Sequence, residues 1–278
     1  MARFSNKVAI ITGSSNGIGR ATAIILAKDG AKVTITGRNA ERLEETKQQI
    51  IAAGIGSENI NVIVGDITTT EIQDKIINST IEKFGKINIL VNNAGAPFMD
   101  SVGTLGFSQD ISIYDSTFEL NLRSIVILTQ KARPYLEATK GEIINVSSIT
   151  SGPQAHSGIP FYSMSKAALD QFTRNIAIEL IPFGVRVNCV NPGLVVTGFP
   201  QAMGTPLEAS KTIYDFMGSN RDCIPIGKTA DPSDIGNIIA FLADRSQSFY
   251  IVGQTIQADG GTTLIMAMNT HNLMELLK

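Results

Sequence analysis

Short, continuously apolar runs alternate with longer stretches of helical periodicity along most of the chain. The runs that predict β-strands are residues 8–12, 33–36, 61–64, 87–91, 142–147, 185–190 and 254–257. The stretches that predict helices are residues 18–28, 39–52, 71–83, 112–139, 162–181 and 232–243. A strand that is apolar along its whole length is buried on both faces, as in a parallel sheet. The alternation therefore predicts an α/β protein with a doubly wound, seven-stranded parallel sheet flanked by helices.

Two segments interrupt this alternation. Residues 96–111 are Gly-rich and irregular, and residues 198–226 contain several Gly and Pro with room for one short helix. Each follows a predicted strand, and loops at the carboxyl ends of parallel strands form the ligand crevice. We therefore expect both to wall a substrate pocket, with 198–226 as its lid. No repeat or Pro/Ser-rich linker divides the chain, which indicates a single domain over residues 1–278.

The predicted helix over 162–181 carries an apolar stripe. Its members, Leu169, Phe172, Ile176 and Leu180, recur at steps of three and four residues, and Asp170 lies off the stripe. This spacing predicts that one face of the helix packs on the sheet. The terminal segment 263–278 is also rich in apolar residues. We expect it to form a tail. This tail packs on a neighbouring subunit or near a pocket mouth, or it is a simple docked helix.

Composition narrows the class of protein. Of 278 residues, 43% are hydrophobic and 17% are charged, and the net charge is −2. No basic run suggests a nucleic-acid partner, and no apolar run reaches the roughly 18–20 residues of a membrane-spanning helix. The first residues, MARFSNKVAIITG, do not resemble a secretory signal. Two isolated cysteines, Cys189 in an apolar run and Cys223 in a predicted loop, fit a reducing compartment, so we expect a cytoplasmic protein.

A Gly-rich turn follows the first predicted strand. In TGSSNGIG, residues 12–19, the glycines Gly13, Gly17 and Gly19 stand between a strand and a helix. Glycine lets the backbone approach a pyrophosphate, and the following helix N-terminus offers free N–H groups. The spacing is G-x-x-x-G-x-G, with no Gly-Lys-Ser/Thr after it, which disfavours a P-loop phosphotransferase. The turn predicts a dinucleotide site.

The end of the second strand indicates which dinucleotide binds. An acidic residue there would hold the ribose hydroxyls of NAD, whereas an arginine suits the 2′-phosphate of NADP. This chain has Gly37 at that point and Arg38 after it, which favours NADP(H) over NAD. Asp66 ends the third strand, where it could accept a hydrogen bond from the adenine or simply cap a turn.

Tyr162 and Lys166 are four residues apart at the start of a predicted helix, so they share one face. Tyrosine has an ordinary pKa of about 10 and is a poor base at neutral pH. A cation one helical turn away favours the phenolate and lowers that pKa. The pair is a candidate for acid/base chemistry, although such a pair is also common on an ordinary solvated face.

Five motifs, in this order, resemble the short-chain dehydrogenase/reductase family. They are TGSSNGIG at 12–19, NNAG at 92–95, SS at 147–148, YSMSK at 162–166 and NPGLVVTG at 191–198. The likeness spans roughly residues 5–262 and is greatest to the carbonyl-reducing branch that includes the tropinone reductases. It implies a single-domain Rossmann fold and an NADP(H)-dependent oxidoreductase that interconverts a ketone or aldehyde with an alcohol. It also implies a homotetramer, or a homodimer, with the long helices around Asn121 and Tyr162 pairing across a two-fold axis.

The resemblance assigns four catalytic roles. Tyr162 would be the general acid/base, and Lys166 would lower its pKa and hydrogen-bond the nicotinamide ribose. Ser148 would hold the substrate oxygen, and Asn121 would anchor a water that links Lys166 to solvent. Ser148 and Tyr162 are fourteen residues apart, one more than the family pattern, which leaves Ser147 as an alternative.

The resemblance also implies a set of cofactor contacts along the carboxyl edge of the sheet. These are Gly13, Ser15, Asn16, Gly17, Ile18, Gly19, Arg38, Asp66, Ile67, Asn93, Ala94, Gly95, Tyr162, Lys166, Pro192, Gly193, Val195 and Thr197. Asn16 stands where NADP-dependent members often have a basic residue, so the cofactor preference depends mainly on Arg38.

The substrate is less well defined than the cofactor. The two interrupting segments carry Phe98, Met99, Phe199, Met203, Tyr214, Phe216 and Met217, which predicts an apolar carbonyl or alcohol substrate. His156 could also face the pocket or could be a surface residue. With two histidines and no clustered cysteines, the sequence gives no support for a metal site. Two alternatives remain: an NAD-dependent alcohol dehydrogenase of the same family, and a nucleotide-binding regulator without turnover.

Overall fold

The computed structural model, which describes residues 2–100 and 102–266, contains one seven-stranded sheet. The strands are β1 (Val8–Ile11), β2 (Lys32–Gly37), β3 (Ile60–Val64), β4 (Ile89–Asn92), β5 (Glu142–Val146), β6 (Arg186–Pro192) and β7 (Thr255–Ala258). All neighbours pair in parallel, in the order β3-β2-β1-β4-β5-β6-β7. The strand order reverses between β1 and β4, which opens a crevice beyond the carboxyl ends of the strands. The predicted doubly wound parallel sheet is confirmed.

Helices cover both faces of the sheet. They are α1 (Gly17–Lys28), α2 (Ala40–Ala52), α3 (Thr70–Phe84), α4 (Ile111–Phe118), α5 (Ser124–Thr139), α6 (Pro160–Leu180), α7 (Phe199–Ala202), α8 (Leu207–Ser219), α9 (Pro232–Ala243) and α10 (Arg245–Ser248). Buried residues of α1, α2 and α9 form one apolar core with the sheet, and those of α3, α5 and α6 form a second. Within the described part of the chain, no helix has the length and apolar character that crossing a bilayer requires.

Local sequence explains several helix boundaries. The hydroxyl of Thr69 accepts from the backbone of Ile72 at the start of α3, and Gly85 ends that helix at φ +79°. α9 begins with a reciprocal capping box between Asp231 and Asp234. These contacts satisfy backbone groups that would otherwise lack partners at helix ends.

The structure differs from the sequence-based prediction in three places. The predicted helix over 112–139 is divided by a π-helical turn at Glu119–Arg123 between α4 and α5. Segment 198–226 contains two helices, α7 and α8, rather than one. Strand β7 is only partly buried because it is the edge strand. The tail prediction falls mostly on residues 267–278, outside the described residues.

Candidate active site

The four predicted catalytic residues come from three elements that meet beyond the carboxyl ends of β4 and β5. Tyr162 and Lys166 occupy the first two turns of α6. Ser148 follows β5, and Asn121 lies in the π-helical turn. All four are buried. A π-helical turn inside a longer helix is frequent at functional sites.

The Tyr162 phenol lies in a closed environment. Burial raises the pKa of Tyr162 above its ordinary value, and a hydrogen bond with the Ser148 side chain acts in the opposite direction. The ring of Phe199 packs edge-on against the ring of Tyr162, with centroids 5.4 Å apart. The lowering of this pKa by Lys166 stays a prediction.

The Lys166 ammonium is directed to the end of the neighbouring strand. Its Nζ donates to the carbonyl oxygen of Val146 at 2.8 Å and lies 5.6 Å from the centroid of the Tyr162 ring. Burial lowers the pKa of Lys166 to about 8, and the neighbouring Cys189 and Asp170 act in the opposite direction. A pKa of about 8 suits the proton transfer predicted for this residue.

The two serines after β5 have different partners. The Ser147 hydroxyl donates to the backbone oxygen of Lys166 at 3.1 Å and so anchors α6. The Ser148 hydroxyl interacts with Tyr162 and accepts from the backbone N–H of Thr150 at 3.2 Å. Ser148, rather than Ser147, thus has the geometry of a group that holds a substrate oxygen beside the phenol.

Asn121 fixes the backbone beside the lysine. Its Oδ1 accepts from the N–H of Ala96 at 2.9 Å, and its Nδ2 donates to the Ala96 carbonyl at 3.0 Å and to Ser165 Oγ at 3.3 Å. A Cβ added to Gly95 would lie 3.0 Å from both Asn121 Oδ1 and Lys166 Nζ. Both polar atoms therefore converge on Gly95, while the expected water between them stays a prediction.

The Gly-rich turn has the shape of a phosphate cradle. Gly13 and Gly17 have φ values of +65° and +52°, which L side chains rarely adopt. A Cβ on Gly19 would lie 2.3 Å from the carbonyl oxygen of Gly13, too close for any side chain. Helix α1 starts without a side-chain cap and without an acid in its first turn. Its free N–H groups and dipole thus fit a pyrophosphate group.

The NNAG motif holds this turn in place. The Nδ2 of Asn93 donates to the carbonyl oxygens of Thr12 at 2.8 Å and Gly13 at 3.1 Å. The Thr12 hydroxyl accepts from the backbone N–H groups of Asn93 and Ala94, each at 2.9 Å. The motif therefore connects the end of β4 to the phosphate turn after β1.

The residues predicted for the adenosine half lie beside that turn. Arg38 follows β2 and is exposed, and a Cβ on Gly37 would lie 3.3 Å from the Ser15 side chain. Asp66 Oδ1 accepts from the N–H and hydroxyl of Thr68, at 3.0 and 2.8 Å, and so forms a local turn. Ile67 is buried next to it.

The segment after β6 lies across the phosphate turn. A Cβ on Gly17 would lie 2.9 Å from Cγ2 of Thr197, and one on Gly193 would lie 2.8 Å from Asp259. Pro192 ends β6, and Val195 is buried. Asn16 packs against Gly198, since a Cβ added to Gly198 would lie 2.9 Å from Asn16 Nδ2. The structure thus places these predicted cofactor residues around one crevice.

Tyr214 differs from expectation, and His156 takes the surface position that the sequence left open. Tyr214, predicted as a pocket wall, is buried, and its hydroxyl donates to the carbonyl of Thr197 at 3.1 Å and accepts from its N–H at 3.3 Å. It thus ties α8 to the segment after β6. His156 is exposed, and its Nδ1 accepts from the N–H of Gly158 at 3.2 Å, so it belongs to the surface loop.

Asp170 is a site residue that the sequence pattern did not identify. It lies off the apolar stripe of α6, where a solvated position is expected, yet it is buried. The available signal was its position four residues after Lys166, which puts both on one face of α6.

Comparison with known proteins agrees with this geometry. Residues 13–263 match a protein-family model described as enoyl-(acyl carrier protein) reductase. Tropinone reductase-like 3 of Erythroxylum coca is 34% identical over 94% of this chain and 94% of its own length. A short-chain dehydrogenase/reductase of unknown function from Caenorhabditis elegans, solved with cofactor, is 57% identical with a TM-score of 0.95, covering 97% of this chain and 100% of that one. A glucose dehydrogenase of the same organism, solved without ligand, is 54% identical with a TM-score of 0.82, covering 95% and 100%.

Proposed function

The chain belongs to the short-chain dehydrogenase/reductase family, and from this premise we propose that it is an NADP(H)-dependent oxidoreductase. It interconverts an apolar ketone or aldehyde with the corresponding alcohol. The observation that carries the proposal is the meeting of Tyr162, Ser148 and Lys166 beside a Gly-rich dinucleotide cradle.

The proposed chemistry divides between cofactor and protein. When bound, the nicotinamide supplies or accepts the hydride. Ser148 donates a hydrogen bond to the substrate oxygen and holds it beside Tyr162, whose phenol gives that oxygen a proton in reduction and takes it back in oxidation. Lys166, whose Nζ lies 5.6 Å from the centroid of the Tyr162 ring, would hydrogen-bond the cofactor ribose and restore the proton of Tyr162, and Asn121 would anchor a water that links Lys166 to solvent. The phenol is neutral at physiological pH, since burial raises its pKa, so it is in the form that reduction requires.

The residues present fit a dinucleotide. Gly13, Gly17 and Gly19 allow the turn to pack closely on Asn93, Thr197 and its own backbone, and the uncapped α1 N-terminus offers free N–H groups to a pyrophosphate. Arg38 supports NADP(H), because it is exposed directly after β2, where an acid would repel a 2′-phosphate.

Apolar side chains at the crevice support an apolar substrate. Phe199 covers Tyr162, and Leu207 and Phe216 are exposed on α8. The interrupting segments, 96–111 and 198–226, carry five acidic and two basic residues. An acidic entrance disfavours polyanionic acyl carriers and does not hinder a neutral carbonyl.

A second candidate substrate is a sugar. Similarity to the glucose dehydrogenase, which is 54% identical to this chain, is an argument for an uncharged, hydroxyl-rich alcohol as the substrate. A sugar needs hydrogen-bond partners around its ring, whereas Phe199 presents an apolar face at the phenol. We therefore rank the apolar carbonyl first.

The test is turnover of a substrate panel with NADPH and with NADH. The panel contains a cyclic terpenoid ketone, a medium-chain aldehyde, a 3-oxoacyl thioester and glucose with the oxidised cofactors. We expect reduction of the apolar carbonyls with NADPH and at least a 100-fold loss of kcat in Tyr162→Phe, with NADPH affinity retained. Tyr114→Phe, which stacks on Phe118 away from the phenol, is the matched control.

Three results would contradict parts of the proposal. Turnover in Tyr162→Phe equal to that of the wild type would exclude this phenol as the acid/base. Preference for glucose would favour the second candidate. Binding of NADPH without turnover of any panel member would favour a nucleotide-binding regulator.

A further inference from the structure

Asp170 is a buried carboxylate that the proposed chemistry does not use. It lies one turn after Lys166 on α6, and 6% of its surface is exposed. Three groups converge on its oxygens. Ser151 Oγ lies 2.6 Å and Asn191 Nδ2 lies 2.9 Å from Oδ2, while the Cys189 sulfur lies 3.6 Å from Oδ1. All three groups are uncharged hydrogen-bond partners of this carboxylate.

This charge has no ion pair in residues 2–100 and 102–266. The charged group one turn away is the Lys166 ammonium, which donates to the Val146 carbonyl instead. Burying a carboxylate without an ion pair is costly, even where hydrogen bonds offset part of the cost. A hydrophobic side chain would avoid that cost, so the carboxylate calls for a functional explanation.

The first link from Asp170 to the site is geometric. The carbonyl oxygen of Ser148 lies 2.6 Å from Ser151 Oγ and 3.2 Å from Asn191 Nδ2, the same two groups that contact Asp170. The Ser151 backbone N–H also donates to this oxygen, at 3.1 Å. Asp170 therefore orients the two side chains that fix the backbone of Ser148, whose hydroxyl contacts Tyr162.

The second link is electrostatic. Burial lowers the pKa of Lys166 to about 8, and the neighbouring Cys189 and Asp170 act in the opposite direction. Burial also raises the pKa of the Cys189 thiol well above its ordinary value, so this thiol is neutral at physiological pH. The titratable groups that face Lys166 are Tyr162 and Asp170 on α6 and Cys189 on β6, and Asp170 is the carboxyl group among them.

We propose that Asp170 is a positioning residue of the active site: its carboxylate keeps Lys166 charged and holds Ser148 against Tyr162. The inference rests on the proposed function for its catalytic consequence. The effect of Asp170 on the charge of Lys166 concerns the protein alone, so it can be measured without turnover.

The first experiment titrates the lysine directly. Protein carrying ¹³Cε-lysine is titrated by NMR, and Lys166→Arg identifies the Lys166 signal. We expect the midpoint of Lys166 to fall by about one pH unit in Asp170→Asn, because a neutral amide no longer stabilises the ammonium. Asp170→Ser serves as a second neutral variant should the first fail to fold, and Glu179→Gln, exposed on the same helix, is the control. An unmoved midpoint in a folded neutral variant would overturn the proposal.

The second experiment measures kinetics with a carbonyl that the wild type reduces. In Asp170→Asn we expect kcat to fall at least tenfold. As the pH is raised, activity should be lost at a lower pH than in the wild type. The affinity for NADPH should stay within twofold of that of the wild type. Restoration of the pH profile by Asp170→Glu would support the role of charge. A fall in kcat with an unchanged pH profile would reduce Asp170 to a packing role and overturn the proposal. A wild type that reduces no carbonyl would count against the proposed function, while the lysine titration would still decide the role of Asp170.

Discussion

At the scale of single residues, burial acts on Tyr162 and Lys166 in opposite directions. Removal from water disfavours the phenolate of one and the ammonium of the other, so the pKa of Tyr162 rises and that of Lys166 falls to about 8. Each has a compensating neighbour, Ser148 for the phenol and Asp170 for the ammonium. The tyrosine–lysine spacing could be read from the sequence, but these neighbours depend on tertiary packing.

Arg38→Asp should change the cofactor preference. The substitution removes a cation that can bind the 2′-phosphate and adds a carboxylate that repels it and can bind ribose hydroxyls. We expect the ratio of kcat/KM for NADPH to that for NADH to fall at least tenfold, measured by absorbance at saturating carbonyl. Arg174→Asp, on the exposed side of α6, is the control. An unchanged ratio would show that Arg38 does not select the cofactor.

At the scale of elements, the hydrophobic pattern predicted the strands that are buried along their whole length and the helices with clear caps. The apolar runs of β1, β5 and β6 are buried throughout, and the capped helices α3 and α9 begin within one residue of expectation. The π-helical turn at 119–123 was missed because one extra residue per turn leaves no mark in the hydrophobic pattern. Helix α8 was obscured by Gly and Pro on both sides. Asp170 was missed because periodicity reports side-chain type and not hydrogen-bond partners.

Tyr214→Phe, a substitution in the predicted lid, should weaken the binding of the cofactor. The phenol of Tyr214 holds both backbone groups of Thr197, which packs against Gly17 of the phosphate turn. Loss of a hydrogen bond worth about 1 kcal/mol corresponds to a rise in NADPH Kd of roughly fivefold. Fluorescence titration of NADPH measures this without a substrate. Phe216→Leu, on the exposed face of α8, is the control, and an unchanged Kd in Tyr214→Phe would contradict the link.

Glu142→Gln should destabilise the end of the sheet opposite the site. Glu142 on β5 forms a buried ion pair with Arg186 at 2.9 Å and a partly exposed one with Arg245 at 2.7 Å. Arg186 also donates to the carbonyls of Leu242, Ser248 and Ile251. Removing one partner leaves a buried charge uncompensated, so we expect a loss of about 3 kcal/mol in the free energy of unfolding.

Urea unfolding of Glu142→Gln measures that loss. Glu137→Gln, which removes a partly exposed partner of Arg133, is the matched control and should leave the midpoint unchanged. Equal midpoints for Glu142→Gln and the wild type would show that the buried network contributes nothing to stability.

At the scale of the whole molecule, the doubly wound topology explains why distant motifs form one site. Parallel strands all end at one edge of the sheet, so TGSSNGIG after β1, NNAG at the end of β4, the serines after β5 and NPG at the end of β6 meet there. Their order in the sequence was sufficient to predict this meeting. The contacts between α8, the segment after β6 and the phosphate turn were not predictable, because the two interrupting segments carry no regular pattern.

The predicted homo-oligomer requires a surface, and the groove between α5 and α6 is a suitable one for a second copy of this chain. Its lining combines apolar and charged side chains: Val126, Thr129, Gln130, Arg133, Phe172, Ile176, Glu179 and Leu180. Phe172 and Ile176 belong to the apolar stripe of α6 but are only half-buried, whereas Leu169 and Leu180 are fully buried. Ile176→Glu should therefore lower the mass in solution measured by light scattering, because a charge in a paired apolar surface is costly. Leu207→Glu, exposed on α8, should not change the mass. A monomeric wild type, or a variant with wild-type mass, would exclude this groove as the contact between subunits.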